Sequence, residues 1–139
     1  MLFIAGMILC SCGGSSKTEQ NHKPLGTKCY RYINGNDSIL MSFQEENSLI
    51  LGELKYNFFE KDKNNGNIRG AIFGDTIFAE YDFFSEGKQS TREVAFLRKD
   101  SVLMEGYGEI TMLNDRQVFA NKKAIQFDSK IYLTEVACD

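Results

Sequence analysis

The sequence predicts an all-β domain, and three observations support this prediction. Apolar residues recur at every second position along most of the chain, as they do in half-buried strands. The breaks between these runs carry turn residues, for example Asn34-Gly35 and Asn64-Asn65-Gly66. No apolar stripe of helical period is convincing over more than about ten residues. The length of 139 residues and the 42% of hydrophobic residues are typical of one globular domain.

The chain begins with an apolar run that predicts an export signal. Residues 1–10 read MLFIAGMILC and contain no charge. As a helix, they would span about 15 Å, half of a bilayer core, which is too short for a transmembrane helix. We therefore expect the apolar region of a secretory signal. The usual Lys or Arg is missing from the first residues, which leaves the true start codon open. The alternative is a buried N-terminal strand or helix.

The residues after this run look like a bacterial lipobox. Leu9 stands three positions before Cys12, and the small Ser11 stands just before it. The pattern predicts that residues 1–11 are a lipoprotein signal peptide, and that Cys12 becomes the lipidated first residue. Residues 12–26 are small and polar and read as a flexible tether. The remaining residues, 27–139, form the predicted β-domain.

Nine runs of alternating residues are the predicted strands. Short connections between them predict an antiparallel meander of about eight or nine strands. Closure into a lipocalin-like barrel would remove the exposed edges, and a two-sheet sandwich is the alternative. Glycines within the runs suit the bends of a small barrel. The predicted strands are 28–34, 38–44, 48–60, 67–74, 76–84, 91–99, 101–111, 117–127 (perhaps broken) and 130–136.

The cysteines of the domain predict a disulfide. Cys29 and Cys138 are the pair that remains beyond the signal and the lipidated Cys12. In an exported protein such an even remainder suggests a bridge, and a closed meander brings its first and last strands together. The alternative is two unpaired buried thiols.

The sequence offers little that could support catalysis. His22 is the single histidine and lies in the tether, which removes histidine-based triads and ordinary zinc sites from the domain. Walker, GxGxxG and CxxC motifs are absent. We therefore predict a non-enzymatic protein with no cofactor and no metal. A carboxylate pair for hydrolysis is the enzymatic alternative, although strand carboxylates more often face solvent; the candidates are Glu53, Glu80, Asp82, Glu93 and Glu105.

Two polar connections are the predicted functional surface. In the predicted meander, the loop 85–93 and the hairpin 60–67 follow odd-numbered strands and emerge at one mouth. Arg92 would be the polar anchor of a small apolar or amphipathic ligand, with Glu86, Glu93 and Asp62 around it. An internal cavity of about 300 Å³ would favour this hypothesis. A solid core with an exposed apolar patch would instead favour a structural or interaction protein of the envelope.

A scattered pattern runs through the chain: Ser11-Cys12-Gly13-Gly14, Glu60-Lys61-Asp62, Gly66, Gly70, Gly74-Asp75-Thr76, Phe84-Ser85-Glu86-Gly87, Arg92-Glu93 and Glu105-Gly106-Tyr107-Gly108. This pattern resembles one found in small predicted lipoproteins of the Bacteroidota, a group without an assigned function. The resemblance implies a Gram-negative envelope, and Gly13 after the lipidated cysteine favours the outer membrane over the inner. The expected partners are the membrane, through the anchor, and a small ligand or an envelope protein. The net charge of −3 without a basic run argues against nucleic acid.

Overall fold

A computed structural model describes residues 26–61, 63–127 and 130–139. Cys12, Asp62 and His22 lie outside the described residues, as do the predicted signal peptide and most of the tether. Within the described part no helix is long and apolar enough to cross a membrane. The strands are β1 Thr27–Asn34, β2 Asp37–Glu46, β3 Leu49–Asn57, β4 Lys63–Phe73, β5 Thr76–Ser85, β6 Lys88–Lys99, β7 Val102–Glu105, β8 Ile110–Leu113, β9 Arg116–Phe119 and β10 Tyr132–Val136.

Eight of these strands close into an antiparallel barrel. The first seven follow each other around the wall, and β10 closes it between β7 and β1. The predicted closed barrel is therefore confirmed. Cys29 and Cys138 form the predicted disulfide, with their Cα atoms 5.4 Å apart. We name this end of the barrel the disulfide end. The turns after β1, β3 and β5 emerge at the opposite end, which we name the Arg92 mouth.

The barrel interior is filled with side chains. Alternation along β5 buries Ile77, Ala79, Tyr81 and Phe83, and its partner strands contribute in the same way. This packing is typical of an eight-stranded barrel, whose interior is just wide enough for its own side chains. The largest side chains that are fully buried are Phe43, Phe96, Ile39, Met41, Ile50, Leu54, Ile68, Leu103 and Leu133, together with Tyr81 and Ile77.

Close contact between neighbouring strands explains two of the strand glycines. A Cβ atom on Gly52 would lie 1.9 Å from the carbonyl oxygen of Ser42, and one on Gly70 would lie 2.0 Å from that of Phe78. Any larger residue would force the backbones apart. Gly74, in contrast, lies in a turn with a φ of 60°.

The predictions after Lys99 are wrong in detail. A single strand was predicted over 101–111, but β7 ends at Glu105 and a separate strand, β8, begins at Ile110. The predicted strand over 117–127 is the short β9 followed by a 3₁₀ turn at Lys122–Ala124. β8 and β9 form a hairpin that is not part of the eight-stranded wall, and we name it the outer hairpin. Its strand β9 pairs with β6 in parallel through Gln117 and Arg92.

This hairpin covers a second, smaller core on the outer face of the barrel. Ala95 points outward from β6 and packs under Phe119 and Ile125, beside Phe78 and Phe127. Gly106 permits the close approach, because a Cβ there would lie 2.6 Å from side-chain atoms of both Ile125 and Phe127. The period of two along β6 therefore serves two cores, one on each face.

Candidate functional site

The predicted loop 85–93 is a tight turn. β5 continues to Ser85 and β6 starts at Lys88, so only Glu86 and Gly87 connect them. Both have positive φ, 51° and 76°, as in the type I′ turn that joins two-residue hairpins. The other predicted polar connection, 60–67, is also shorter, because β4 begins at Lys63.

The predicted ligand residues that the structure describes do not converge. Arg92 points into the barrel beside Tyr81, its cross-strand partner on β5. Glu93, the next residue, points outward, where it accepts a hydrogen bond of 2.9 Å from the Phe119 amide and pairs with Lys122 at 3.3 Å. Glu86 is exposed at the turn. Glu93 thus fastens the outer hairpin to β6, while Arg92 alone faces the interior.

Arg92 lies against aromatic rings inside the Arg92 mouth. Its guanidinium carbon is 5.1 Å from the ring centroid of Tyr56 and 5.6 Å from those of Tyr81 and Phe83. Cation–π attraction of this kind contributes about 0.5–2 kcal/mol, with the larger values where water is excluded. Tyr81 and Phe83 are themselves stacked at 4.8 Å. The rings fix the position of the charge without using its hydrogen-bonding capacity.

Glu105 is the buried carboxylate of this region. It is the last residue of β7 and is only 7% exposed. It accepts hydrogen bonds from the Tyr56 hydroxyl at 2.5 Å and from the Tyr107 hydroxyl at 3.3 Å. Burial raises the pKa of Glu105, although the Tyr56 hydrogen bond and the Arg92 charge oppose this. Burial and the Glu105 carboxylate raise the pKa of Tyr56 well above its usual range.

Three buried polar atoms here have no hydrogen-bond partner within the described residues. They are Nε of Arg92, the hydroxyl of Tyr81 and Oδ1 of Asn64. Asn64 is the cross-strand partner of Tyr56, so its backbone lies beside the ring that Arg92 covers. Burial raises the pKa of Tyr81 to about 12. Leaving such a group unpaired costs about 1–3 kcal/mol, so three in one region are unusual in a folded protein.

The strands of the wall at and beside Glu105 are the shortest strands of the barrel. β7 has 4 residues and β10 has 5, whereas the neighbouring β6 has 12. β10 pairs with β1 only from Cys29 to Arg31. The polar cluster of Arg92, Tyr56, Glu105, Tyr81 and Asn64, which we name the mouth cluster, therefore has its carboxylate on the short side of the wall and its other four residues on the longer strands β3 to β6.

The sequence predicted Arg92 as a site residue. It did not predict that the other four residues of the mouth cluster would surround it. Glu105 was one of five candidate carboxylates, and the other four lie on the outer face of the barrel, away from it. Glu80 and Asp82 face outward, where Arg69 lies 3.4 Å and 3.6 Å from them. The signal that could have found Glu105 is its parity with the buried Leu103 on β7.

The prominent grooves lie on the outer surface. One of about 870 Å³ runs along β1, β2 and β3 beside the segment from Val136 to Asp139, and smaller ones of about 290 Å³ and 210 Å³ lie near Leu51. Among residues 26–61, 63–127 and 130–139, no group of three or more His, Cys, Asp or Glu residues could hold a metal ion.

Comparisons with known proteins add nothing to this picture: no protein-family model matches the chain, and neither does any curated protein or any solved structure. The functional argument therefore rests on the mouth cluster and on the sequence of the N-terminus.

Proposed function

We propose that this protein is a lipid-anchored lipoprotein of the bacterial outer membrane, and that its barrel binds a small amphipathic ligand at the Arg92 mouth without catalysing a reaction. The anchor is inferred from the apolar run and from the lipobox-like residues before Cys12. The observation that supports ligand binding is the set of buried polar atoms of Arg92, Tyr81 and Asn64 that have no hydrogen-bond partner within the described residues.

The chemistry of these atoms defines the ligand. Arg92 Nε can only donate, Asn64 Oδ1 can only accept, and the Tyr81 hydroxyl can do both. A ligand head group with a carboxylate and a hydroxyl would satisfy all three. The charge of Arg92 favours the carboxylate, since a charge-assisted hydrogen bond is about twice as strong as a neutral one.

The filled interior limits how far the ligand enters. Tyr81 is fully buried, Phe83 is 8% exposed, and Ile68 and Leu54 fill the barrel beyond them. An apolar chain therefore has no place in the centre of the barrel. In this proposal the head group enters the mouth cluster, and the apolar part lies outside against the rim, where Phe58 is only partly buried.

The test is untargeted mass spectrometry of small molecules that co-purify with the native, membrane-extracted protein. We compare the wild type with Arg92→Met, which keeps the apolar contact with the rings, and with Arg69→Met, whose arginine is exposed on the outer face. Loss of a bound compound in the Arg92 variant alone supports the proposal. Equal retention in both variants contradicts the site, whereas a Cys12→Ala variant that stays in the membrane contradicts the anchor.

The solid core also favours a second candidate, an envelope protein that acts through contacts with other proteins and has no small ligand. Among the described strands, β8 pairs only with β9, and its side chains Ile110, Met112 and Leu113 are 44%, 62% and 51% exposed. An apolar edge strand can accept a strand from another chain. A photo-crosslinking residue in place of Met112 should then capture a defined envelope protein that the same residue in place of Phe84 does not.

A further inference from the structure

The outer face of the barrel carries an apolar patch at the disulfide end. Leu49, Leu51 and Phe73 are 62%, 65% and 65% exposed, and we name these three residues the rim patch. Leu49 pairs with Ala71 on the next strand, and Phe73 follows Ala71 by two positions on the same face. The ring of Phe73 lies 6.1 Å from that of Phe78, so apolar side chains adjoin from Leu49 to Phe78, while Leu51 has Arg69 as its partner on β4.

At the opposite end, two of the exposed apolar residues have only polar cross-strand partners. Phe84 is 61% exposed, but its cross-strand partners are Asn65 and Gln89. Ile33 is 59% exposed and pairs with Ser38. Single exposed apolar side chains are normal on a protein surface, whereas a continuous group marks a contact with another apolar phase.

The rim patch lies where the N-terminal segment leaves the barrel. Thr27, the first residue of β1, pairs with Gln44, and Gln44 pairs with Leu51. Leu51 is therefore level with the point of exit along the hydrogen-bonded row, and Leu49 and Phe73 lie beyond it toward the disulfide end. The segment from Cys12 to Gly26 cannot exceed about 50 Å even when fully extended.

We propose that the rim patch rests on the surface of the lipid bilayer, so that the Arg92 mouth points away from the membrane. This inference relies on the proposed lipid anchor at Cys12. The tether brings the disulfide end to the bilayer at a high effective concentration, at which a weak apolar contact suffices. Leucine and phenylalanine side chains are those that enter the boundary between head groups and acyl chains. The charged side chains near the rim patch are of both signs, for example Arg69 beside Asp82. The contact with the bilayer therefore depends on insertion of apolar side chains.

Tryptophan fluorescence can test this orientation, because the chain contains no tryptophan. We would place a single reporter at the rim patch with Phe73→Trp and at the opposite end with Phe84→Trp; both positions are similarly exposed. The lipidated proteins are incorporated into vesicles of phosphatidylethanolamine and phosphatidylglycerol that contain brominated lipid. Flotation of the vesicles shows separately whether the anchor holds.

The expected result is that both proteins float and that only the reporter at position 73 shifts to shorter wavelength and is quenched by bromine. If both proteins float and the reporter at 73 is not quenched, or both reporters are quenched equally, the orientation is wrong although the anchor stands. If neither protein floats, the anchor fails and the orientation fails with it.

Discussion

Two arginines of β6, Arg92 and Arg98, point into opposite ends of the same barrel and are treated differently. Arg98 donates a hydrogen bond of 2.9 Å to Glu45, and Lys28 approaches the same carboxylate at 3.7 Å. Arg92 has no ion pair within the described residues and lies over three aromatic rings instead. At the disulfide end, the charges of Arg98 and Glu45 are paired with each other. At the Arg92 mouth, Nε of Arg92 has no hydrogen-bond partner within the described residues. In our proposal, this unused hydrogen-bonding group is one that a ligand would contact.

The pKa directions follow the same division. The hydrogen bond from Arg98 lowers the pKa of Glu45, and burial raises the pKa of Glu105. One carboxylate is stabilised in its charged form, while the other is disfavoured in it. When charged, Glu45 at the disulfide end therefore stabilises the fold, whereas a charged Glu105 at the Arg92 mouth destabilises it.

The largest expected effect concerns the covalent link at the disulfide end. Replacing both Cys29 and Cys138 by alanine should lower the free energy of unfolding by about 2–5 kcal/mol, because the bridge closes a loop with a sequence separation of 109. Urea unfolding measures the loss, and hydrogen exchange should show that β1 and β10 lose protection before β4 and β5. Uniform loss of protection would contradict a disulfide that acts mainly on the closure of the wall between β1 and β10.

The second prediction compares the two arginines directly. Arg98→Met should lower the free energy of unfolding by about 1–3 kcal/mol at neutral pH, because Glu45 loses its charge-assisted donor. Arg92→Met should cost less, because its removal leaves no partner without a hydrogen bond and methionine still packs against the rings. Urea unfolding of both variants measures the difference. A larger loss for Arg92→Met would show that its charge stabilises the fold through Glu105.

The third prediction concerns pH. Since the folded pKa of Glu105 is raised above its ordinary value of 4.5, its favourable contribution is complete below that value and is lost as pH rises through the raised pKa. Since the pKa of Glu45 is lowered from 4.5, its contribution is present above that value and is lost as pH falls through the lowered pKa.

Glu105→Gln should therefore flatten the profile of unfolding free energy above pH 4.5, and Glu45→Gln should flatten it below. A tenfold change in an acid dissociation constant between the folded and unfolded states corresponds to about 1.4 kcal/mol in the free energy of unfolding. Unfolding free energies measured across acidic and neutral pH for both variants check this. Identical pH profiles for the two variants would contradict the electrostatic difference between Glu105 and Glu45.

The smallest expected effect is at the turn between β5 and β6. Glu86 has a φ of 51°, and asparagine adopts this conformation more readily than glutamate. Glu86→Asn should raise the free energy of unfolding by about 0.5 kcal/mol or less. It should leave ligand retention unchanged, because Glu86 is exposed outside the mouth cluster. A loss of ligand would show that the turn takes part in binding, as the sequence had suggested.

The sequence predicted the barrel wall well because its signals are local. The strands from Thr27 to Lys99 are given by alternation and by turn residues, and the disulfide confirms that the wall closes. The outer hairpin was missed because alternation does not say which edge a strand will join. β9 alternates like a wall strand but pairs with β6 in parallel, outside the barrel.

The site was predicted in part for a related reason. The pattern of charges placed Arg92, Glu93 and Glu86 in one polar loop, but strand geometry sends Arg92 and Glu93 to opposite faces. The predicted strand 91–99 already contains both residues, so its period of two was sufficient to separate them. The contact of Glu105 with Tyr56 joins β7 to β3 across the barrel, and only the closed register brings these strands together.

The position of β10 in the wall has a consequence for the order of folding. β1 finds its outer partner only in a strand about one hundred residues further along the chain, as the pairing of Cys29 with Val136 shows. The local hairpins from β1 to β6 can form early, whereas closure is a long-range event with a high entropic cost. Until then, β1 and β7 present open edges. A chain that crosses a membrane before folding would pass through this open-sheet stage, in which a chaperone that covers strand edges would have its greatest effect.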